Sequence, residues 1–165
     1  MSRETKGTVR RVVTGHDADG RARFVSDATF EPRDVPSGDA AMCLVWTAPN
    51  LPVDNNDPVD GRERDAGTTL RGGSVIRIVD LYPGQHSPMH RTSSLDYGIV
   101  LSGQLELELD DGVRTLLHPG DIVVQRGTMH LWRNPSQDET CRIVFVLTEA
   151  SAVEINGVVL PEQHP

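Results

Sequence analysis

The segment Gln104–Gly112 reads QLELELDDG. Leu105, Leu107 and Leu109 fall on one parity, Glu106 and Glu108 on the other, which is the period of a strand buried on one face. The DDG that follows has tight-turn chemistry and leads into VRTLLH, and PGD turns the chain again into IVVQ. The same grammar extends outward. SVIRIVDL precedes it as a strand, and CRIVFVLTEA follows as a nearly continuous apolar run suited to a strand covered on both faces. No long amphipathic helical pattern interrupts the series. Short strands at intervals of roughly 8–12 residues, cut by Gly, Pro and Asp, predict an all-β sandwich or barrel. The length of 165 residues suits one domain, and the 15 glycines and 11 prolines fit many turns.

The first part of the chain is less regular. TVRRVVTGHDADGRARFV predicts strand, turn, strand, with Asp19-Gly20 at the turn, and MCLVWTA predicts another strand. Pro49–Gly73 is polar and without periodicity; a loop this long in a compact domain is expected to be a lid or binding loop, or to cross to a partner. Asp54, Asp57 and Asp60 within it lack the calcium-loop pattern and are expected to be solvated. The sequence thus divides into N-terminal strands and polar loop (1–73), a regular core (74–150) and a C-terminal tail (151–165).

A net charge of -8 argues against nucleic acid and anionic membrane surfaces, both of which select basic faces. No run approaches the length of a membrane span. MSRETKGTVRR has no apolar leader segment. Cys43 and Cys141 form no CxxC pair and give no sign of a zinc knuckle, a redox dithiol or an oxidising compartment. The expected location is cytoplasmic.

Chemistry concentrates around YPGQHSPMHRTSSLDYGIVLSG, residues 82–103. His86 and His90 would stand about 13 Å apart on an extended strand, beyond the reach of one ion, although Pro88 between them can bend the chain. Thr92 is about 7 Å from His90 on the same face, but offers only a neutral hydroxyl.

Gly84, His90, Thr92, Asp96 and Gly103 are spaced as in the first motif of the cupin family, G-x5-H-x-H-x3,4-E-x6-G, which this stretch resembles. GDIVVQRGTMHLWRNPS resembles the second motif, matching at Gly120, Gly127, His130 and Asn134. Gln125 stands where that motif has proline, and the spacing from Gly120 is one residue short. The resemblance spans roughly 74–150. It implies an antiparallel double-stranded β-helix, the cupin jelly-roll barrel, here with an N-terminal hairpin extension. It also implies a small-molecule ligand or substrate in the barrel and a homodimer.

The resemblance further implies a divalent metal held by two histidines and a glutamate of the first motif and one histidine of the second. Carried over, His90 and His130 keep the outer histidines, Asp96 replaces the glutamate and Thr92 the middle histidine. His90, Asp96 and His130 are therefore the candidate metal ligands, with His86 as an outside fourth. Two imidazoles and a carboxylate leave open positions on iron, and are compatible with zinc, manganese, nickel or copper. This predicts a lyase, isomerase or oxygenase acting on a carboxylate- or enol-bearing molecule. Two alternatives stay open. The same three residues can serve as a metal-free acid–base set, with Asp96 orienting a histidine, or line a binding pocket without catalysis. Asp96 can equally hydrogen-bond the RTSS turn. Arg126 is read as either facing an anionic substrate or lying at the surface, and His16, His118 and His164 are expected to be solvated. Trp132 is expected to pack beside the site.

Overall fold

The computed structural model describes residues 7–164. The start of the stretch on which no leader was read, and the outermost ends of the expected 1–73 and 151–165 segments, lie outside the described residues.

Among the described residues thirteen strands follow one another: β1 Val9–His16, β2 Ala22–Phe30, β3 Arg33–Asp34, β4 Ala40–Ala48, β5 Ser74–Leu81, β6 Ser94–Ser102, β7 Leu105–Glu108, β8 Arg114–Leu117, β9 Ile122–Arg126, β10 Leu131–Arg133, β11 Cys141–Glu149, β12 Val153–Ile155 and β13 Val158–Leu160. Two short 3₁₀ turns, Gly61–Glu63 and Asp110–Gly112, are the other elements. None of the described residues forms a helix long and apolar enough to cross a membrane. A six-stranded antiparallel sheet runs β3-β4-β5-β11-β6-β9, and a three-stranded sheet runs β10-β7-β8. The all-β barrel expected from the strand grammar is what forms, with the jelly-roll arrangement that the motif resemblance implied.

The alternation in QLELEL does what the period requires. Leu105 and Leu107 are buried while Glu106 and Glu108 reach Arg114 and Arg133. In the turn that follows, Asp111 takes φ 57°, a left-handed conformation that aspartate tolerates better than most residues. The leucines join Val79, Leu81, Val100, Leu117, Trp132, Cys141 and Ile143 in one core between the sheets. Strand β11 departs from expectation in degree. Cys141, Ile143 and Leu147 are buried on one face, but Val144 and Val146 on the other are only half covered.

The β1–β2 hairpin is tied down by Arg11, which is buried and forms a two-pronged pair with Asp60 in the polar loop, 2.7 Å at each prong. Asp57 pairs with Arg64, and Asp54 accepts from the Asn56 amides, so these aspartates organise the loop and are not simply solvated. Thr47 donates to the Gly61 carbonyl at 2.5 Å, holding the loop against β4. Beyond β11 the chain is more than a tail. β12 and β13 form a hairpin, and Gln163 then pairs with Arg91 in an antiparallel bridge.

Candidate functional site

His90 and His130 belong to no long strand, yet they face each other as an isolated antiparallel bridge. The His90 N–H donates to the His130 carbonyl at 2.9 Å, and the His130 N–H to the His90 carbonyl at 3.0 Å. Reciprocal main-chain bonds put two side chains on the same side of the ladder, and the rings lie 4.1 Å apart. Each ring has its Nδ1 at a carbonyl, Pro88 at 2.8 Å for His90 and Thr128 at 2.9 Å for His130. A carbonyl only accepts, so in each neutral ring Nδ1 carries the proton and Nε2 is the acceptor.

Asp96 enters from β6, directly opposite Gln125 on β9. Both are buried, as are Thr92 and Ser94. The Gln125 amide nitrogen lies 2.7 Å from His130 Nε2 and 3.3 Å from Asp96 Oδ2. Its two hydrogens satisfy both. Ser94 Oγ donates to Asp96 Oδ1 at 2.6 Å; having one hydrogen, it accepts from Thr92 Oγ1 at 2.9 Å. Asp96 thus does hydrogen-bond the RTSS turn, the alternative its sequence context offered. Gln125 Oε1 is buried with no donor.

These groups open into a cavity of about 550 Å³. Leu105, Trp132, Ile143, Phe145 and Leu147 form much of its apolar wall, and His90, Thr92, Asp96 and His130 its polar end. Trp132 packs edge-on against His130 at 5.5 Å and tilts onto Phe145 at 5.2 Å. The size and the mostly apolar lining suit one small organic molecule.

His86 is exposed, with its Nδ1 at the Ser87 carbonyl, and does not line this cavity. Arg126 is exposed and lies at a smaller cleft with Arg91 and Ser151. His16 and His118 are exposed as expected. His164, expected to be solvated, sits at the cavity instead, carried there by the Gln163–Arg91 bridge, although half its side chain remains accessible. Asn134 is structural: its amide donates to the carbonyls of Leu81 and Glu139 and its oxygen accepts from Ser136 N–H.

The residues present fit a resident metal poorly. His130 Nε2 already accepts from Gln125, both Asp96 oxygens accept hydrogen bonds, and Thr92 is turned to Ser94. Among the described residues no three His, Cys, Asp or Glu side chains converge as ligands. His90, Asp96 and His130 line one cavity, and Gln125 links Asp96 to His130 in a polar network beside His90. Sequence reasoning missed Gln125 and Ser94; the one signal for Gln125 was a polar residue in place of the motif's proline.

Burial, and next to it His90, push His130 down to about 4, while burial raises Asp96 against the bonds from Ser94 and Gln125. His130 therefore stays neutral in the folded protein from pH 7 down to about 4. The unfolded chain takes up that proton near pH 6.5. Its contribution to stability is full above pH 6.5 and drains as pH falls to about 4, a change of roughly 3 kcal/mol. Asp96 runs the other way: its raised value gives stability below its ordinary range that is lost as pH rises through the folded value. Urea unfolding across this acid window, compared between the wild type and His130→Asn, is expected to show a flatter pH dependence in the variant.

The Cupin domain family profile matches residues 77–147. The chain is 43% identical over 162 residues to the phomopsin biosynthesis cluster protein C' of Diaporthe leptostromiformis, covering 93% of this chain and 85% of that protein. It is 38% identical over 155 residues to the cupin-domain-containing oxidoreductase fogC of Aspergillus ruber, covering 90% and 76%. Among solved structures, KdgF from Halomonas sp. superposes with a TM-score of 0.53 at 18% identity over 74% of this chain and 88% of that one, a likeness of fold. The two packed antiparallel sheets and the cavity between them define a jelly roll. The chain belongs to the cupin family.

Proposed function

We propose that this cupin binds a small, enolisable organic molecule in the barrel and moves a proton on it, as an isomerase, cyclase or dehydratase of secondary metabolism. The observation that carries this reading is the Gln125 amide, which occupies the two atoms, His130 Nε2 and Asp96 Oδ2, that a metal would need. Relatives named for phomopsin and oryzine biosynthesis clusters support the metabolic setting.

His90 is the base in this mechanism. Its Nδ1–H is fixed to Pro88, so Nε2 is the proton acceptor at the cavity. It takes a proton from carbon next to a carbonyl; the electron pair moves into an enolate, and the imidazolium formed is balanced by the Asp96 carboxylate. Returning the proton to a different carbon completes an isomerisation, and delivering it to a leaving hydroxyl completes a dehydration. His130 and Gln125 stay neutral and hold Asp96 in place.

The test follows the bicyclic ketone α-tetralone in D2O by proton NMR. Enzyme-dependent loss of the α-proton signal is expected, and it is expected to persist after dialysis against a chelator, with far less than one metal ion per chain by elemental analysis. Exchange that vanishes on chelation and returns with iron, zinc, manganese or nickel overturns the proposal. That outcome would instead favour the reading suggested by relatives named oxidoreductases, with His90, Asp96 and His130 as ligands once Gln125 swings aside.

A further inference from the structure

Among the described residues four arginines have a buried Nε that makes no hydrogen bond: Arg11, Arg62, Arg77 and Arg133. Three of them are compensated. Arg11 has Asp60, Arg62 has Glu63 at 3.9 Å, and Arg133 has Glu106 and Glu108. Of these four, Arg77 is the one with no carboxylate within salt-bridge distance among the described residues. It lies on β5 between Leu44 of β4 and Phe145 of β11, and its side chain lines the barrel cavity. Among the described residues its side-chain hydrogen bonds run from Nη2 to the carbonyls of Gly67 (2.5 Å) and Thr68 (3.1 Å) in the polar loop.

A guanidinium held at an apolar cavity without a counter-charge is costly unless something else supplies one. In a chain of net charge -8, an anionic molecule also needs a local cation to enter at all. A guanidinium is suited to a carboxylate, and the loop carbonyls take only Nη2, leaving Nη1 to donate to one. We infer that Arg77 is the anion anchor of the barrel, so that the molecule bound there carries a carboxylate held by Arg77 while its body fills the apolar cavity.

This inference rests on the barrel cavity being the ligand site, as proposed above, but not on the chemistry done there. It also explains why the polar loop folds back on β5, since the Gly67 and Thr68 carbonyls aim the guanidinium.

The probes are naphthalene carboxylate and its neutral amide, equal in shape. Trp132 lines the cavity, so quenching of its fluorescence reports occupancy. Wild type is expected to bind the carboxylate about tenfold or more tighter than the amide, with a preference that weakens in high salt. Arg77→Met is expected to erase that preference while leaving amide affinity unchanged, and Arg77→Lys to keep part of it. Unchanged amide binding shows that the loop and cavity survive the substitution. A wild type with no carboxylate preference, a preference that persists in Arg77→Met, or no binding of either probe overturns the inference. Proton exchange on tetralone, a neutral ketone, is read separately. It can succeed while Arg77 fails, or fail while Arg77 succeeds.

Discussion

His90→Ala is expected to abolish proton exchange on the barrel ligand, by about 10²–10⁴-fold, while the protein stays folded. The two halves of that expectation have different origins. The bonds joining His90 to His130 are main-chain bonds, so alanine keeps them, and the His90 ring is only half-buried. What disappears is the bare Nε2 that accepts the proton. His130→Ala should behave in the opposite sense. It removes a ring that is 2% exposed, leaves the Gln125 amide hydrogen without its acceptor and opens a void beside Trp132. A loss of about 2 kcal/mol or more of stability is expected there. Melting temperature and exchange rate measured on both variants separate the roles. An His90→Ala protein that retains its exchange rate would remove His90 as the base.

The barrel was legible because its strands are buried on one face and announce themselves at period two. QLELEL could be read for face as well as for strand. The site was half legible for the converse reason. His90, Asp96 and His130 were found from motif spacing, and the fold brings all three to one cavity. Gln125 and Arg77 were hidden in strands that are apolar on both parities. In SVIRIVDL, Arg77 shares its face with Val75, Val79 and Leu81, while Ile76 and Ile78 occupy the other. With valine or isoleucine on both sides, alternation cannot say which face is inward. The same holds for Gln125, which lies inward with Val123 while Ile122 and Val124 are exposed. The tail was unreadable for another reason. The Gln163–Arg91 bridge is made by backbone atoms 72 positions apart, and no side-chain pattern encodes it.

The same ambiguity concealed a buried two-pronged ion pair, and it yields the largest expected stability effect. Asp80 is 3% exposed and stands directly opposite Arg142 on the neighbouring strand β11. Arg142 Nε and Nη2 each reach an Asp80 oxygen at 2.7 Å, and the guanidinium also donates to the carbonyls of Gly7 and Thr8. The pair therefore joins the two central strands of the sheet to the backbone of Gly7 and Thr8 that leads into β1. Asp80→Ala leaves a largely covered guanidinium with carbonyls for company and no counter-charge. The expected loss is about 3–5 kcal/mol, nearer the lower value because the Arg142 side chain keeps 20% of its exposure. For a chain of this size that lowers the melting temperature by roughly 10 °C. Replacing both partners together, Asp80→Leu with Arg142→Met, is expected to recover most of the loss, because no charge is then stranded. Thermal unfolding of the single and double variants separates the two causes. If the double variant melts as low as Asp80→Ala, the ion pair itself holds the sheet together; if it recovers, the cost lies in the uncompensated arginine.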